Sequence, residues 1–294
     1  MLDRRRFLQL SAAAATASVM PSTARAAMHR RNLPGSDESL PVIGLGNSNA
    51  FREGDVPTST RLLDILLEHG GAYVDCSGSS RFVVASAGAG LQASDDLFLG
   101  TYFMDADDET MRRSAARLLE ITGKESLDLM QAYPEFAVPN WDLFRRWKDE
   151  GLTRRIGVAR HNRRYYDAMI GLMETDTVDF LQVNYSPLET DAEERVLPMA
   201  MDKGVAVTIN RPFINGQYFS IVRGHELPAW AAEFDCQSWA QFSLKFIISH
   251  PAVNCVLTET ANPVHAVDNI GAGFGRLPDQ ETRRRMVDHL RSLA

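Results

Sequence analysis

Short apolar runs alternate with longer amphipathic segments from residue 40 onward. The runs are rich in β-branched and apolar residues and have the length of buried strands, whereas the segments between them repeat apolar positions every three or four residues, as helices do. The predicted strands are Val42 to Leu45, Tyr73 to Asp75, Leu97 to Thr101, Leu127 to Gln131, Arg155 to Val158, Phe180 to Val183, Ala206 to Ile209 and Cys255 to Leu257. This alternation predicts a parallel sheet built from βα units.

Six of the intervening segments predict helices: Thr60 to His69, Met111 to Thr122, Trp141 to Glu150, Tyr165 to Met173, Glu193 to Lys203 and Trp239 to Ser249. Gly151 and Gly204 follow two of them, where a left-handed residue ends a helix, and Lys203 lies in a last turn, where the helix dipole favours a cation. Eight strand-helix units over about 250 residues are typical of an α/β fold of the (β/α)8 TIM-barrel type.

An open, doubly wound sheet is the alternative fold. Such a sheet is expected to carry a glycine-rich fingerprint after its first strand, and the run from Gly44 to Asn49 lacks the third glycine. The interval from Pro212 to Gln237 is longer than an ordinary βα connection, so we expect an elaborated loop there, over the mouth of the barrel.

The first 26 residues predict an export signal. Arg4-Arg5-Arg6-Phe7-Leu8 places a twin-arginine pair before an aromatic residue and a leucine, as in Tat signals. An alanine-rich stretch from Ser11 to Met20 follows, and Ala24-Arg25-Ala26 has the small-x-small pattern of a cleavage site. We therefore expect a Tat signal peptide over 1–26, a single barrel domain over 27–294, export of the folded chain by the Tat machinery to the periplasm, and no stable membrane insertion after processing.

The charge balance argues against a nucleic-acid partner. The 294-residue chain is 45% hydrophobic and has a formal net charge of −7 at pH 7, which becomes more negative when the basic signal is removed. Nucleic-acid binding needs a basic face, and the short runs Arg163-Arg164 and Arg283-Arg284-Arg285 are interpreted as solvated helix faces.

Cysteines and histidines provide no metal-binding pattern. Cys76, Cys236 and Cys255 form an odd set at unrelated spacings, for which buried free thiols are favoured over one bridge. The seven histidines are isolated in the sequence, and none is paired with a carboxylate at a ligand spacing. This argues against a metal-dependent hydrolase on the same fold, and we expect no metal site.

Motifs at all eight strands are similar to those of one family. In chain order they are Pro41-Val42-Ile43-Gly44-Leu45-Gly46, Val74-Asp75, Leu97-Phe98-Leu99-Gly100-Thr101, Leu127-Asp128-Leu129-Met130-Gln131, Glu150-Gly151 with Arg155-Ile156-Gly157-Val158, Asp179-Phe180-Leu181-Gln182-Val183-Asn184-Tyr185-Ser186, Ile209-Asn210-Arg211-Pro212-Phe213, and His250-Pro251-Ala252-Val253. Taken together and in this order, they resemble the aldo-keto reductases.

The resemblance implies a carbonyl reductase in which a tyrosine donates the proton while NADPH supplies hydride, assisted by an aspartate, a lysine and a histidine. An unassisted phenol with a pKa of about 10 is a poor proton donor at neutral pH, which is why the family pairs it with a lysine. Here only the aspartate is present, as Asp75. Ser80 stands at the tyrosine position, Tyr102 at the lysine position and Tyr133 at the histidine position. No lysine lies between Arg52 and Lys124.

The cofactor positions are partly kept. The resemblance implies that Gln182 binds the nicotinamide carboxamide and that Asn269 remains from a carboxylate-asparagine pair. The further candidate cofactor-binding residues are Asn210, Arg211 and Thr260. After the eighth strand, Thr260 follows Glu259, whose carboxylate would repel a phosphate. Amides at the start of the next helix could still hold one. NADP binding is therefore weakened but still open.

Two functions remain open. The first is a degenerate or repurposed barrel that binds a small molecule through Asp75, Tyr102, Tyr133 and the pair Asn210-Arg211 at the carboxyl ends of the strands. In that case Asp75 is expected to pair with Arg211 or an internal water, and the tyrosines could equally fill the space left by the lysine and the histidine.

The second is an active NADP-dependent oxidoreductase that reduces a carbonyl substrate, with Tyr102 or Tyr133 as a relocated acid. That chemistry needs a charged group beside the tyrosine, and Arg160 and His161 are the candidates, although both could equally face solvent.

Overall fold

The computed structural model describes residues 27–46, 56–76, 97–103 and 107–293, and in them eight parallel strands close into a barrel. A separate two-stranded sheet, β1 (Arg30–Asn32) and β2 (Ser39–Pro41), precedes it. The barrel strands are β3 (Ile43–Leu45), β4 (Tyr73–Asp75), β5 (Phe98–Phe103), β6 (Leu129–Ala132), β7 (Ile156–Ala159), β8 (Phe180–Asn184), β9 (Ala206–Asn210) and β10 (Val253–Thr258). They follow one another in chain order, and β10 pairs with β3 to close the ring. The predicted TIM barrel is confirmed.

The helices surround this ring. They are α1 (Val56–Glu68), α2 (Asp108–Thr122), α3 (Pro134–Ala137), α4 (Trp141–Asp149), α5 (Tyr166–Thr175), α6 (Val196–Lys203), α7 (Gln217–Ile221), α8 (Trp239–Ile248), α9 (Pro263–Gly271) and α10 (Gln280–Leu293). All six predicted helices are present with shifted ends. Gly204 ends α6 in the left-handed conformation with Lys203 in its last turn, and Gly151 also has a positive φ, as predicted.

Barrel strands are buried on both faces because helices cover the outside and side chains fill the inside. The inner cluster includes Tyr73, Phe98, Leu129 and Phe180. Helix α4 shows how the outer layer is encoded. Trp141, Phe144 and Trp147 recur every three residues and are buried, while Asp142, Arg145 and Arg146 between them are exposed.

The β1–β2 hairpin covers the amino-terminal end of the barrel. Leu33 and Leu40 are 2% and 3% exposed and belong to the same cluster as the inward-facing barrel residues. The Asn254 amide donates to the Asn32 carbonyl at 2.9 Å, which ties the hairpin to β10. The opposite end, where the strands have their carboxyl termini, is therefore the mouth of the barrel.

The interval from Pro212 to Gln237 contains ordered short elements rather than one open loop. Helix α7 and 3-10 helices over Ile214–Gly216 and Ala229–Phe234 lie in it. The buried Tyr218 hydroxyl donates to the Trp239 carbonyl at 2.8 Å, so part of this segment packs against the start of α8.

One of the two arginine runs differs from its interpretation as a solvated face. Arg163 and Arg164 are exposed, but Arg283 is buried in α10. Its guanidinium donates to the Tyr185 hydroxyl and to Glu193 and lies 4.4 Å from the centroid of the Phe246 ring. The interpretation was wrong for Arg283 because its acceptors are about 90 residues away in the sequence.

The three cysteine side chains, of Cys76, Cys236 and Cys255, are buried and form no disulfide, as favoured from their spacing. No helix in the described part of the chain is both long enough and apolar enough to cross a bilayer. The predicted signal peptide, residues 1–26, lies outside the described residues.

Candidate active site at the mouth of the barrel

Asp75 ends β4 at the base of the mouth, where its carboxyl group is 1% exposed. Burial raises its pKa to about 7; a hydrogen bond with the Gln182 amide lowers the pKa, and the charge of Glu259 raises it. The Oδ1 atom of Asp75 is buried without a hydrogen-bond partner. A carboxyl group in such surroundings keeps its proton up to near-neutral pH, because burial costs the charged form more than the hydrogen bond from Gln182 returns.

Two glutamines continue this polar base. Gln131, on β6, donates from Nε2 to Oε1 of Gln182, on β8, at 3.1 Å. Both side chains are buried, and Oε1 of Gln131 has no partner. Asp75, Gln182 and Gln131 thus form a short chain across the inside of the barrel that leaves two oxygens able to accept hydrogen bonds.

All four lysines of the chain lie away from Asp75. Lys124 donates to the Leu97 carbonyl and pairs with Asp128, and Lys148 pairs with Asp179. Lys245 is buried and donates to the carbonyls of Phe274 and Arg276, and Lys203 is exposed at the end of α6. The parts of the sequence outside the described residues contain no lysine.

Tyr133 follows β6 and lies against a guanidinium group. The Arg160 guanidinium carbon, after β7, is 3.9 Å from the centroid of the Tyr133 ring and 4.5 Å from that of Tyr165. Arg160 also pairs with Glu135 at 2.8 Å, and the His161 ring meets Tyr133 edge-on with centroids 6.2 Å apart. The structure therefore brings both charged candidates to Tyr133.

Asn210 and Arg211 lie after β9 on the same side of the mouth. The Asn210 amide donates to the Arg160 carbonyl at 3.3 Å, and its Oδ1 is buried without a partner. Arg211 donates to the His161 carbonyl at 3.0 Å and to Asn215 Oδ1 at 2.9 Å. The expectation that Arg211 pairs with Asp75 was wrong, because the turn after β9 directs its side chain to these neutral acceptors.

Burial lowers the pKa of the His161 imidazole, and the charges of Arg211 and Arg160 lower it further, against an opposing effect of Glu135. Burial, together with the positive potential of the two arginines, therefore favours the neutral form of His161 near physiological pH.

The turn after β10 offers little to a phosphate group. The Thr260 hydroxyl accepts from the Asn262 amide nitrogen, and the Asn262 side chain caps the start of α9. Asn269 is 4% exposed within α9. No lysine or arginine occurs between Thr258 and Asn262, and the Glu259 side chain lies against Gly46 and acts electrostatically on Asp75. The residues present fit the phosphate end of NADP poorly.

Two predicted positions are only partly described. The backbone of Tyr102 pairs with Gln131 in the sheet, which places the residue in β5 beside the polar base. Ser80 lies outside the described residues. Within residues 27–46, 56–76, 97–103 and 107–293, no group of three histidine, cysteine or acidic side chains could hold a metal ion.

The sequence analysis missed three contributors to the mouth: Gln131, Glu135 and Tyr165. Strand periodicity could have found Gln131, since it is two residues after the inward-facing Leu129. Glu135 and Tyr165 both contact Arg160. The sequence holds no signal for either of these contacts.

Residues 42–286 match the aldo/keto reductase family. This chain therefore belongs to the aldo/keto reductase family.

Similar solved structures share the barrel. An aldo-keto reductase from Bacillus halodurans in its holo form superposes with a TM-score of 0.70 at 18% identity, covering 90% of this chain and 96% of that one. An aldo-keto reductase from Klebsiella pneumoniae in complex with NADPH gives a TM-score of 0.68 at 19% identity, covering 90% and 95%. At these identities the likeness establishes the fold.

Among curated proteins, the NADH-specific methylglyoxal reductase of Escherichia coli (strain K12) is 26% identical over 134 residues. The match covers 42% of this chain and 39% of that protein, so the chain spans well under half of that relative's length.

Proposed function

We propose that this chain is a repurposed aldo/keto reductase barrel that binds a small molecule at its mouth and has lost the lysine-assisted proton transfer of a carbonyl reductase. One observation carries the proposal. The buried Asp75 carboxyl has no cation beside it among the described residues, while every lysine lies elsewhere. Without an ammonium group beside Asp75, a phenol next to that carboxyl lacks the cation that assists proton transfer in the family.

The polar base of the mouth supports a ligand there. Asp75 Oδ1, Gln131 Oε1 and Asn210 Oδ1 are buried oxygens without hydrogen-bond donors. Buried polar atoms in folded proteins are normally satisfied by protein, water or ligand. A small polar molecule entering the mouth would supply the missing donors.

The second candidate is an NADP-dependent carbonyl reductase that uses Tyr133 as its acid. The Arg160 guanidinium favours it, because its carbon lies 3.9 Å from the centroid of the Tyr133 ring and so places the charged group that this hypothesis requires beside the tyrosine. The NADPH complex of the Klebsiella pneumoniae relative makes NADP the cofactor to test. Against it stands the turn after β10, where Glu259 occupies the region that a phosphate would approach.

Turnover separates the two candidates. The purified chain is incubated with NADPH or NADH and either methylglyoxal or benzaldehyde, and cofactor oxidation is followed by absorbance. We expect no rate above that of a sample lacking protein. A rate that falls at least about 100-fold in Tyr133→Phe, the usual scale for a lost proton donor, would establish the reductase and refute our proposal.

We also propose that the protein acts in the periplasm after Tat export, on the basis of the Arg4-Arg5 motif and the cleavage pattern ending at Ala26. Fractionation of cells expressing the full chain tests this. The wild type should appear in the periplasm with about 26 residues removed, as seen by mass spectrometry of the intact protein, and a variant with Arg4→Lys and Arg5→Lys should stay in the cytoplasm. Equal periplasmic yield of both forms would refute Tat export.

A further inference from the structure

Positive charge is concentrated on one side of the mouth, although the chain carries a net charge of −7. Arg160 follows β7 and Arg211 follows β9. His161 is next to Arg160 in the chain, and its carbonyl accepts a hydrogen bond from Arg211. Both guanidinium groups act electrostatically on the His161 ring. An acidic protein with one cationic corner in its open cleft attracts anions to that corner.

Arg211 is held in place without being neutralised. Its guanidinium group donates to the His161 carbonyl and to the Asn215 amide oxygen, both of which are uncharged. No carboxylate in the described part of the chain lies within ion-pair distance of it, whereas Arg160 pairs with Glu135 and Arg163 pairs with Asp191. In addition, Nε of Arg160 is buried without an acceptor. The corner therefore has unused charge and at least one unused donor.

The backbone that presents Arg211 is strained. Arg211 has a φ of 50°, and Ile214 and Asn215 follow with 51° and 53°, in the left-handed region that non-glycine residues avoid. Such conformations cost energy and persist where the surroundings enforce them, often at ligand sites. The turn after β9 fixes Arg211 before any ligand arrives.

We propose that Arg211, together with His161 and Arg160, binds an oxyanion of the ligand, a carboxylate or a phosphate. A guanidinium group can bind either with two parallel hydrogen bonds. This inference rests on the proposed function, in which the mouth is a ligand site, and it adds the charge of the ligand. The anion is the carboxylate or phosphate of a small acid.

Calorimetric titration of the purified protein with malonate and with inorganic phosphate tests the site. We expect saturable binding of at least one anion to the wild type, weakened ten-fold or more in Arg211→Gln. Arg163→Gln is the matched control, because Arg163 is 73% exposed and already paired with Asp191. Its affinity should equal that of the wild type.

Two readouts guard against misfolding and non-specific charge effects. The melting temperature and near-ultraviolet circular dichroism of both variants must match the wild type, and Arg211→Gly serves as a second variant if Arg211→Gln unfolds. The His161 imidazole proton resonance, assigned with His161→Gln, should shift when malonate is added to the wild type and stay fixed in the Arg211 variant.

The possible outcomes identify the source of the anion, and they test the oxyanion site independently of the proposed function. Malonate binding that is unaffected by NADP supports a site for a small acid, whereas loss of malonate binding in the presence of NADP assigns the corner to a dinucleotide and overturns the small-acid site. Equal affinity of Arg211→Gln and wild type, or an equal loss in Arg163→Gln, overturns the oxyanion site. Turnover of NADPH lost in Tyr133→Phe overturns the proposed function instead, whatever the anion titrations give.

Discussion

Asp75 is the residue on which the chemistry of the mouth depends. Its carboxyl group is enclosed by the barrel and accepts a hydrogen bond from the Gln182 amide, but no cation among the described residues pairs with it. A buried carboxylate without a partner is destabilised, and the usual response is a raised pKa. Near neutral pH the group changes charge, so the polarity at the base of the mouth depends on pH.

Replacing Asp75 by asparagine should therefore stabilise the fold at alkaline pH. The folded carboxyl keeps its proton up to a pKa of about 7, whereas the unfolded one ionises near 3.8. Between these values the folded state binds more protons, so the unfolding free energy of the wild type falls as pH rises and stays low above pH 7. The loss is on the order of 4 kcal/mol.

Urea unfolding of wild type and Asp75→Asn at pH 4, 6 and 8 measures this effect. The stability advantage of Asp75→Asn should be small at pH 4 and largest at pH 8. An advantage that does not change with pH would show that the carboxyl is not the titrating group.

For single residues, the sequence predicted their places in the barrel better than their side-chain partners. Asp75 lies at the mouth as expected, and Arg160 and His161 reach Tyr133 as the second hypothesis required. The pairing of Asp75 with Arg211 was wrong, because the direction of a side chain after a strand depends on a turn whose φ angles have no clear sequence signature. The roles of these residues remain predictions.

Close packing between neighbouring strands depends on glycine. A Cβ atom on Gly157, in β7, would lie 2.5 Å from the backbone oxygen of Phe180 in β8. Backbone atoms cannot move aside as a side-chain end can, so the strands would have to separate. In contrast, a Cβ on Gly171, in α5, would meet nothing within 4 Å.

Gly157→Ala should thus lose about 2 kcal/mol or more of unfolding free energy through overpacking. Gly171→Ala should gain up to about 1 kcal/mol, because alanine is the better helix former. Chemical denaturation of both variants gives the comparison, and equal effects at the two positions would contradict the close approach of β7 to β8.

The backbone conformation of the turn after β9 predicts a difference in stability between two further variants. Arg211→Gly and Arg211→Ala remove the same side-chain contacts, but only glycine adopts a φ of 50° without steric cost. We expect Arg211→Gly to be more stable than Arg211→Ala by about 1 kcal/mol. Thermal melts of the two variants would show equal stability if the turn is unstrained.

Periodicity predicted the elements well where burial is regular. All eight barrel strands occur within a few residues of their expected bounds, because apolar runs and amphipathic segments follow from burial on two faces or one. The β1–β2 hairpin was not predicted, since its three-residue strands mix arginine, serine and asparagine with one buried leucine. Its strands form because Leu33 and Leu40 close the barrel, which is a tertiary effect.

Across the whole molecule, α10 is attached to the barrel through a charged contact. Arg283, 10% exposed in its side chain, joins Glu193 and the buried Tyr185, while Met286 and Leu290 of the same helix are fully buried. Breaking a partly buried ion pair leaves one charge without its partner.

Arg283→Met should lower the unfolding free energy by about 1 to 2 kcal/mol, less than for a fully buried pair because Glu193 is 39% exposed. Arg284→Met, at an exposed position, should stay within about 0.5 kcal/mol of wild type. Urea denaturation measures both, and similar losses would mean that the helix is held by its apolar residues alone.

The hairpin that closes the amino-terminal end also determines where the chain enters the domain. His29 bonds with Val42 and Gly273, so the polypeptide before Ala27 joins the domain on the side opposite to the cleft. A leader, tag or surface tether attached there would leave the cleft unobstructed. The protein could therefore be immobilised by its amino terminus on a sensor chip and still bind ligand from the flowing solution.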